Sequence, residues 1–186
     1  MRAYRFGFVA MALVMAAPAN AEVQKFMFHC EGRQQLCPFF RPLVEIPDGW
    51  VEDKEATRHF GAVILVPKGI AFDDAEAVIY ALARYNPKKQ TVSDFLADGD
   101  ADWKGRAKDA KISTLAEFSR AAGKGAFVRR AFEAPSLKEQ GYELQSVTSD
   151  TDKDGNHYIV TITLSANSKT ALTSAEQAYA AILAKY

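Results

Sequence analysis

Cys30 and Cys37 are the first residues in the chain whose type and spacing could do chemistry. Six residues separate them, whereas dithiol redox chemistry usually relies on a two-residue gap that activates the attacking thiol. A structural disulfide is therefore expected, contributing roughly 2 to 3 kcal/mol for so short a loop on the chain-entropy model. The string Asp150-Thr151-Asp152-Lys153-Asp154-Gly155 sets carboxylates at alternate positions before a glycine, as a calcium loop does. Such a loop needs a bidentate glutamate where this sequence has Thr161, inside a strand-like run, so a solvated hairpin turn is the better reading. Asp98-Gly99-Asp100-Ala101-Asp102 likewise reads as a charged helix end.

The three histidines, His29, His59 and His157, are far apart, and none lies in a His-Glu-x-x-His pattern. There is no Gly-x-Ser-x-Gly elbow and no phosphate-cradling glycine loop. No catalytic residue, metal ligand or cofactor is assigned. The alternative is an exported hydrolase whose site gathers His59, His157 and an aspartate from scattered positions.

The binding candidates are Phe39, Phe40 and Arg41, held between Pro38 and Pro42 and flanked upstream by Phe26 and Phe28. Adjacent side chains of an extended segment point in opposite directions, so only one phenylalanine can easily face a core. The other is expected at the surface beside Arg41, as a rigid aromatic anchor for a partner protein.

These residues need elements to hold them. Tyr142 to Thr148 and His157 to Leu164 alternate in period two and are joined by a short polar turn, which predicts an antiparallel hairpin. Leu172, Ala175, Tyr179, Ile182, Leu183 and Tyr186 then form one stripe at helical spacing, with Thr173 and Glu176 as a capping box. Upstream, Val44 to Ile46 is expected as a short strand ended by the Pro47-Asp48-Gly49 turn. Phe60 to Val66 is expected as a buried strand stopped by Pro67 and Gly69. Thr91 to Gly105 is expected as a helix with Val92, Phe95, Leu96 and Trp103 on one side, Gly99 loosening its end. Ile112 to Phe118 and Ala126 to Phe132 read as a second hairpin. Asp73 to Tyr85 suits either a helix or a strand on local evidence.

The first residues read as an export signal: Arg2 and Arg5, an apolar run from Phe6 to Ala17, and Ala19-Asn20-Ala21, with cleavage expected after Ala21. That run is short of the ~20 residues a spanning helix needs, and no other stretch is a candidate span. Residues 22–186 are expected to form a single α+β domain in the periplasm or outside the cell. The 186 residues carry 23 basic and 23 acidic side chains. Loss of Arg2 and Arg5 leaves a charge of about −2 without a basic cluster, which argues against a nucleic-acid partner.

With these pieces placed, the chain resembles the PsbP-like family, in which an antiparallel sheet lies between helices. The resemblance spans about residues 43 to 186. It rests on Val44-Glu45-Ile46-Pro47-Asp48-Gly49-Trp50, the Phe60 to Pro67 run, the Thr91 helix, and the close of the chain from Tyr158 through Ser165-Ala166 to the final helix. It implies an α/β/α sandwich and a strand from about Glu76. It also implies a non-enzymatic protein that docks on a larger exported partner, as accessory, inhibitor or protective partner.

Overall fold

The computed structural model describes residues 23–29, 36–120 and 124–186. The expected signal segment and the Cys30–Cys37 pairing lie outside the described residues. The fold is α+β. A two-stranded antiparallel sheet pairs β1 (Val23–His29) with β2 (Leu36–Pro42). A seven-stranded antiparallel sheet has the order β3-β4-β5-β9-β8-β7-β6, with β3 (Trp50–Glu52), β4 (Val63–Pro67), β5 (Ala77–Tyr85), β6 (Lys111–Ser119), β7 (Ala126–Glu133), β8 (Tyr142–Thr151) and β9 (His157–Ala166). The helices are α1 (Lys54–Phe60), α2 (Val92–Arg106) and α3 (Lys169–Lys185). None of the described helices is long and apolar enough to cross a membrane.

The expected hairpin of β8 and β9 forms the middle of the sheet, paired from Tyr142 with Ala166 to Thr151 with His157. Val160, Ile162 and Leu164 on β9 are fully buried against Ala175, Tyr179, Ile182 and Leu183 of α3. Burial of each such side chain stabilises the fold by roughly 1.5 to 3 kcal/mol. The Tyr179 hydroxyl reaches through this apolar layer and donates to Ser146 Oγ at 2.6 Å. The stripe is as expected, but the helix starts earlier than the Thr173–Glu176 box. Ser168 caps it, accepting from the Ala171 amide at 3.2 Å.

The opposite face carries α1 and α2. Ala56 of α1 packs with Ile64, Val66 and Val78. Leu96 of α2 packs with Val147 and Ile159, and Trp103 stacks on Phe132 at 5.0 Å. Helix α2 runs unbroken through Gly99 to Arg106, capped by Thr91 Oγ1 on the Asp94 amide.

Residues 77–85 form a strand, the outcome that the resemblance favoured and that periodicity left open. Two expectations fail. Val44 to Ile46 makes no strand: it is the link by which the chain leaves the two-stranded sheet at Pro42 and enters the seven-stranded one at Trp50. The Phe60 to Val66 run is split. Asp53 accepts from the amides of Glu55 and Ala56 and starts α1, which carries Phe60 to its end. Gly61, at a φ of 62°, then turns the chain into β4.

Candidate functional site

In β2 the side chains of Phe39 and Phe40 leave the strand on opposite sides, yet both are covered. Phe39 is 7% exposed, and its ring lies 4.0 Å from where a Cβ at Gly61 would stand. Phe40 is half-buried, with its ring 5.7 Å from that of Tyr85 and 5.3 Å from that of Tyr158. Arg41 does not stand free beside either of them. Its two terminal nitrogens grip the Glu52 carboxylate at 2.8 and 3.2 Å. Alternation was read correctly, but the hairpin has a neighbour on each side, so neither phenylalanine is left over. The apolar surface nearby belongs instead to Phe26 and Met27 of β1, 38% and 48% exposed, and to Phe60 at the end of α1, 52% exposed. Phe26 and Phe39, 6.5 Å apart, help to line a hollow of about 330 Å³ whose other wall is Lys54, Thr57 and Arg58 of α1.

The calcium-like string is a turn that satisfies itself. Asp152 Oδ1 accepts from the amides of Asp154 and Asn156, and its Oδ2 accepts from the Asn156 side chain and the Tyr158 hydroxyl, all at 2.9 Å. Burial works against the ionised carboxyl of Asp152, but these hydrogen bonds outweigh it and hold the group below the usual carboxylate range. Burial first, and then Asp152, pushes Tyr158 up to about 12. Asp150 turns away to Arg120 at 3.2 Å. Asp98 accepts from Gln90, and Asp102 pairs with Arg106.

His59 lies edge-on to Phe60 at 4.7 Å, and His157 Nδ1 meets Thr151 Oγ1 at 3.2 Å. The side chain of His29 lies outside the described residues. Among the described residues, no group of three or more His, Cys, Asp or Glu is placed to hold a metal ion.

The most unusual chemistry lies where the sequence reading did not look, on the face opposite α3. Register places Ser165 beside Val78 and Glu143, and Thr163 beside Tyr80 and Gln145. These polar residues occupy the seam between the apolar clusters under α1 and α2, on the strands at the centre of the sheet. Burial raises the Glu143 carboxyl from 4.5 to about 7, opposed by Arg106 of α2 and by the neighbouring Ser165 hydroxyl. Tyr80 rises to about 12 through burial and the charge of Glu143. Ser165 is 3% exposed, and its Oγ meets no partner of full hydrogen-bonding geometry.

Tyr80, Val78 and Ser165 floor a cavity of about 430 Å³. One wall is the loop from Phe72 to Glu76, and the other is Lys138, Glu139 and Gln140. Gly141 fixes that second wall: a Cβ there would stand 2.7 Å from the Leu137 carbonyl oxygen and 2.8 Å from that of Ala134. The chain therefore closes tightly on itself and holds residues 138–140 over the cleft. A carboxyl titrating near neutrality beside a hydroxyl and a phenol can exchange a proton or meet a charged ligand under ordinary conditions. One signal was legible. The second face of β9, with Thr161, Thr163 and Ser165, and that of β8, with Glu143 and Gln145, are polar in the middle of a sheet. In comparisons with known proteins, the chain matches no family model and no curated sequence.

Proposed function

We propose that this chain is an exported, non-enzymatic domain of PsbP-like type that binds another protein through the β1–β2 hairpin and the adjoining end of α1. The observation that carries the reading is the hollow between β1–β2 and α1, on which the exposed Phe26 opens beside Phe39 and Arg41. Met27, next to Phe26 on β1, and Phe60, at the end of the helix that forms the other wall, are exposed as well. Aromatic side chains beside charge supply much of the energy of protein interfaces. Lys54 and Arg58 are exposed on one wall, while Arg41 is already neutralised by Glu52. The surface therefore suits an apolar segment with acidic residues on the partner. In this reading Phe39, Phe40 and Arg41 act together: Phe40 seats the hairpin on the sheet, Arg41 ties it to β3, and Phe39 floors the contact surface.

A photo-crosslinking residue placed at Phe26, at Phe60 and, as a control, at the exposed Lys153 tests this in the producing cell. One discrete adduct is expected from the first two positions and none from the third, with the yield falling when Arg58→Glu is added. No adduct at Phe26 or Phe60, or the same adduct at Lys153, overturns the reading.

A further inference from the structure

The cavity above Tyr80 and Ser165 lies on the opposite face of the sheet from α3 and is not needed for the docking described above. Its walls carry Asp73, Glu76 and Glu139 against the single cation Lys138. Behind the floor stands Glu143, which has Phe132 of β7 and Ser165 of β9 as strand neighbours and feels Arg106 of α2 and Tyr80 of β5. An anion would enter against this field, and a cation would be drawn in by it. The floor supplies what a cation lacks. An ammonium group has three N–H donors and no acceptor, and Ser165 Oγ is a buried oxygen that accepts no hydrogen bond, in the same cavity as the Tyr80 hydroxyl on which the Gln140 amide converges at 3.5 Å. A buried oxygen that accepts no hydrogen bond is destabilising, and a donor from a ligand would relieve it. Phe72, Ala75 and Val78 add an apolar strip along one side, suited to a methylene chain. At about 430 Å³ the space falls within the usual range for small-molecule sites.

We infer that this cavity binds a small aliphatic amine, with one ammonium seated on Ser165 and Tyr80, the methylene chain along Phe72 and Val78, and a second cationic group held by Glu76 and Glu139 at the rim. A cation on the floor also draws Glu143 toward its ionised form, so the carboxyl behind the site strengthens the contact it receives.

Titration calorimetry of the mature protein with 1,5-diaminopentane tests the assignment, with xylitol as the neutral probe and glutarate as the anionic one. Saturable binding of the diamine is expected, with neither other probe displacing it. The double variant Glu76→Gln, Glu139→Gln alters two exposed side chains that the fold does not need, and it should weaken binding at least fivefold. Ser165→Ala removes that accepting oxygen together with the hydroxyl that neighbours Glu143, and it should weaken binding severalfold while the melting temperature stays close to that of the wild type. No saturable heat with the diamine, displacement by xylitol or glutarate, or an affinity unchanged in either variant overturns the inference. These arms do not involve the β1–β2 hairpin, so failure here leaves the docking proposal standing, and the converse also holds.

Discussion

Glu143 carries a carboxyl that burial pushes well above the usual carboxylate range. Its carboxyl titrates near 7 in the folded protein and near 4.5 when free of the fold, chiefly because burial disfavours the charge. Between those values the folded protein holds a proton that the unfolded chain has released. The contribution to stability is therefore greatest below about pH 4.5, declines as pH rises to about 7, and is constant above that. Glu143→Gln keeps the shape and cannot ionise. Its stability relative to wild type should rise across that window, by roughly 1 to 3 kcal/mol at pH 8 compared with pH 4. Urea midpoints of the two proteins at the two pH values check this, and a pH-independent difference would show that Glu143 ionises freely. The residue escaped the sequence reading because nothing local marks it. Its raised pKa comes from burial, which Arg106 on another element and Ser165 across the ladder only partly offset, and such surroundings exist only after folding. The turn aspartates were the converse case: short side chains beside a glycine name a turn locally, and Asp152 serves its own turn.

At the scale of elements, periodicity was enough wherever one face is dry. The α3 stripe and the alternation of β9 both report contact with the same apolar layer, and each was visible before the other was placed. Ile182→Asp would put an unpaired charge into that layer and lower stability by several kcal/mol. Tyr179→Phe should be milder, about 1 to 2 kcal/mol, because it removes one buried hydroxyl that donates to Ser146 Oγ and leaves the ring in place. Thermal or urea unfolding of both variants measures the contrast. Equal and small effects would mean that α3 is not docked as described. Periodicity missed the short elements, β3 with three residues and α1 with seven, which are too few for a stripe. The signals of α1 were at the ends, with Asp53 as N-cap and Gly61 at the C-cap, and the apolar run from Phe60 masked them. Val44 to Ile46 failed for the opposite reason, since strand-prone side chains make no strand where the chain is crossing from one sheet, left at Pro42, to the other, entered at Trp50.

For the molecule as a whole, the two sheets should not share one stability. The seven-stranded sheet is covered on both faces, by α3 on one side and by α1 and α2 on the other. The β1–β2 pair is a separate sheet, and two strands alone are marginally stable in water. It is tied to the rest through Phe40 on Tyr85 and Tyr158, through Phe39 at Gly61 and through Arg41 on Glu52, while Phe26 and Met27 stay open. Local opening of such a unit needs only those contacts to part, whereas exposing an amide of β9 needs the central sheet to come apart. Native-state hydrogen exchange at low denaturant should therefore show the β1 and β2 amides exchanging through a local opening, and those of Val160 and Ile162 only with global unfolding. Arg41→Ala should lower protection of the hairpin amides severalfold and leave the β9 amides almost unchanged, because it cuts one tie without touching the main core. Equal loss of protection in both places would mean that hairpin and sheet unfold as one unit. The same variant bears on the docking role we propose: a hairpin held more loosely would present Phe26 and Phe39 less rigidly, and on that proposal the crosslinked adduct should diminish even though neither aromatic has changed.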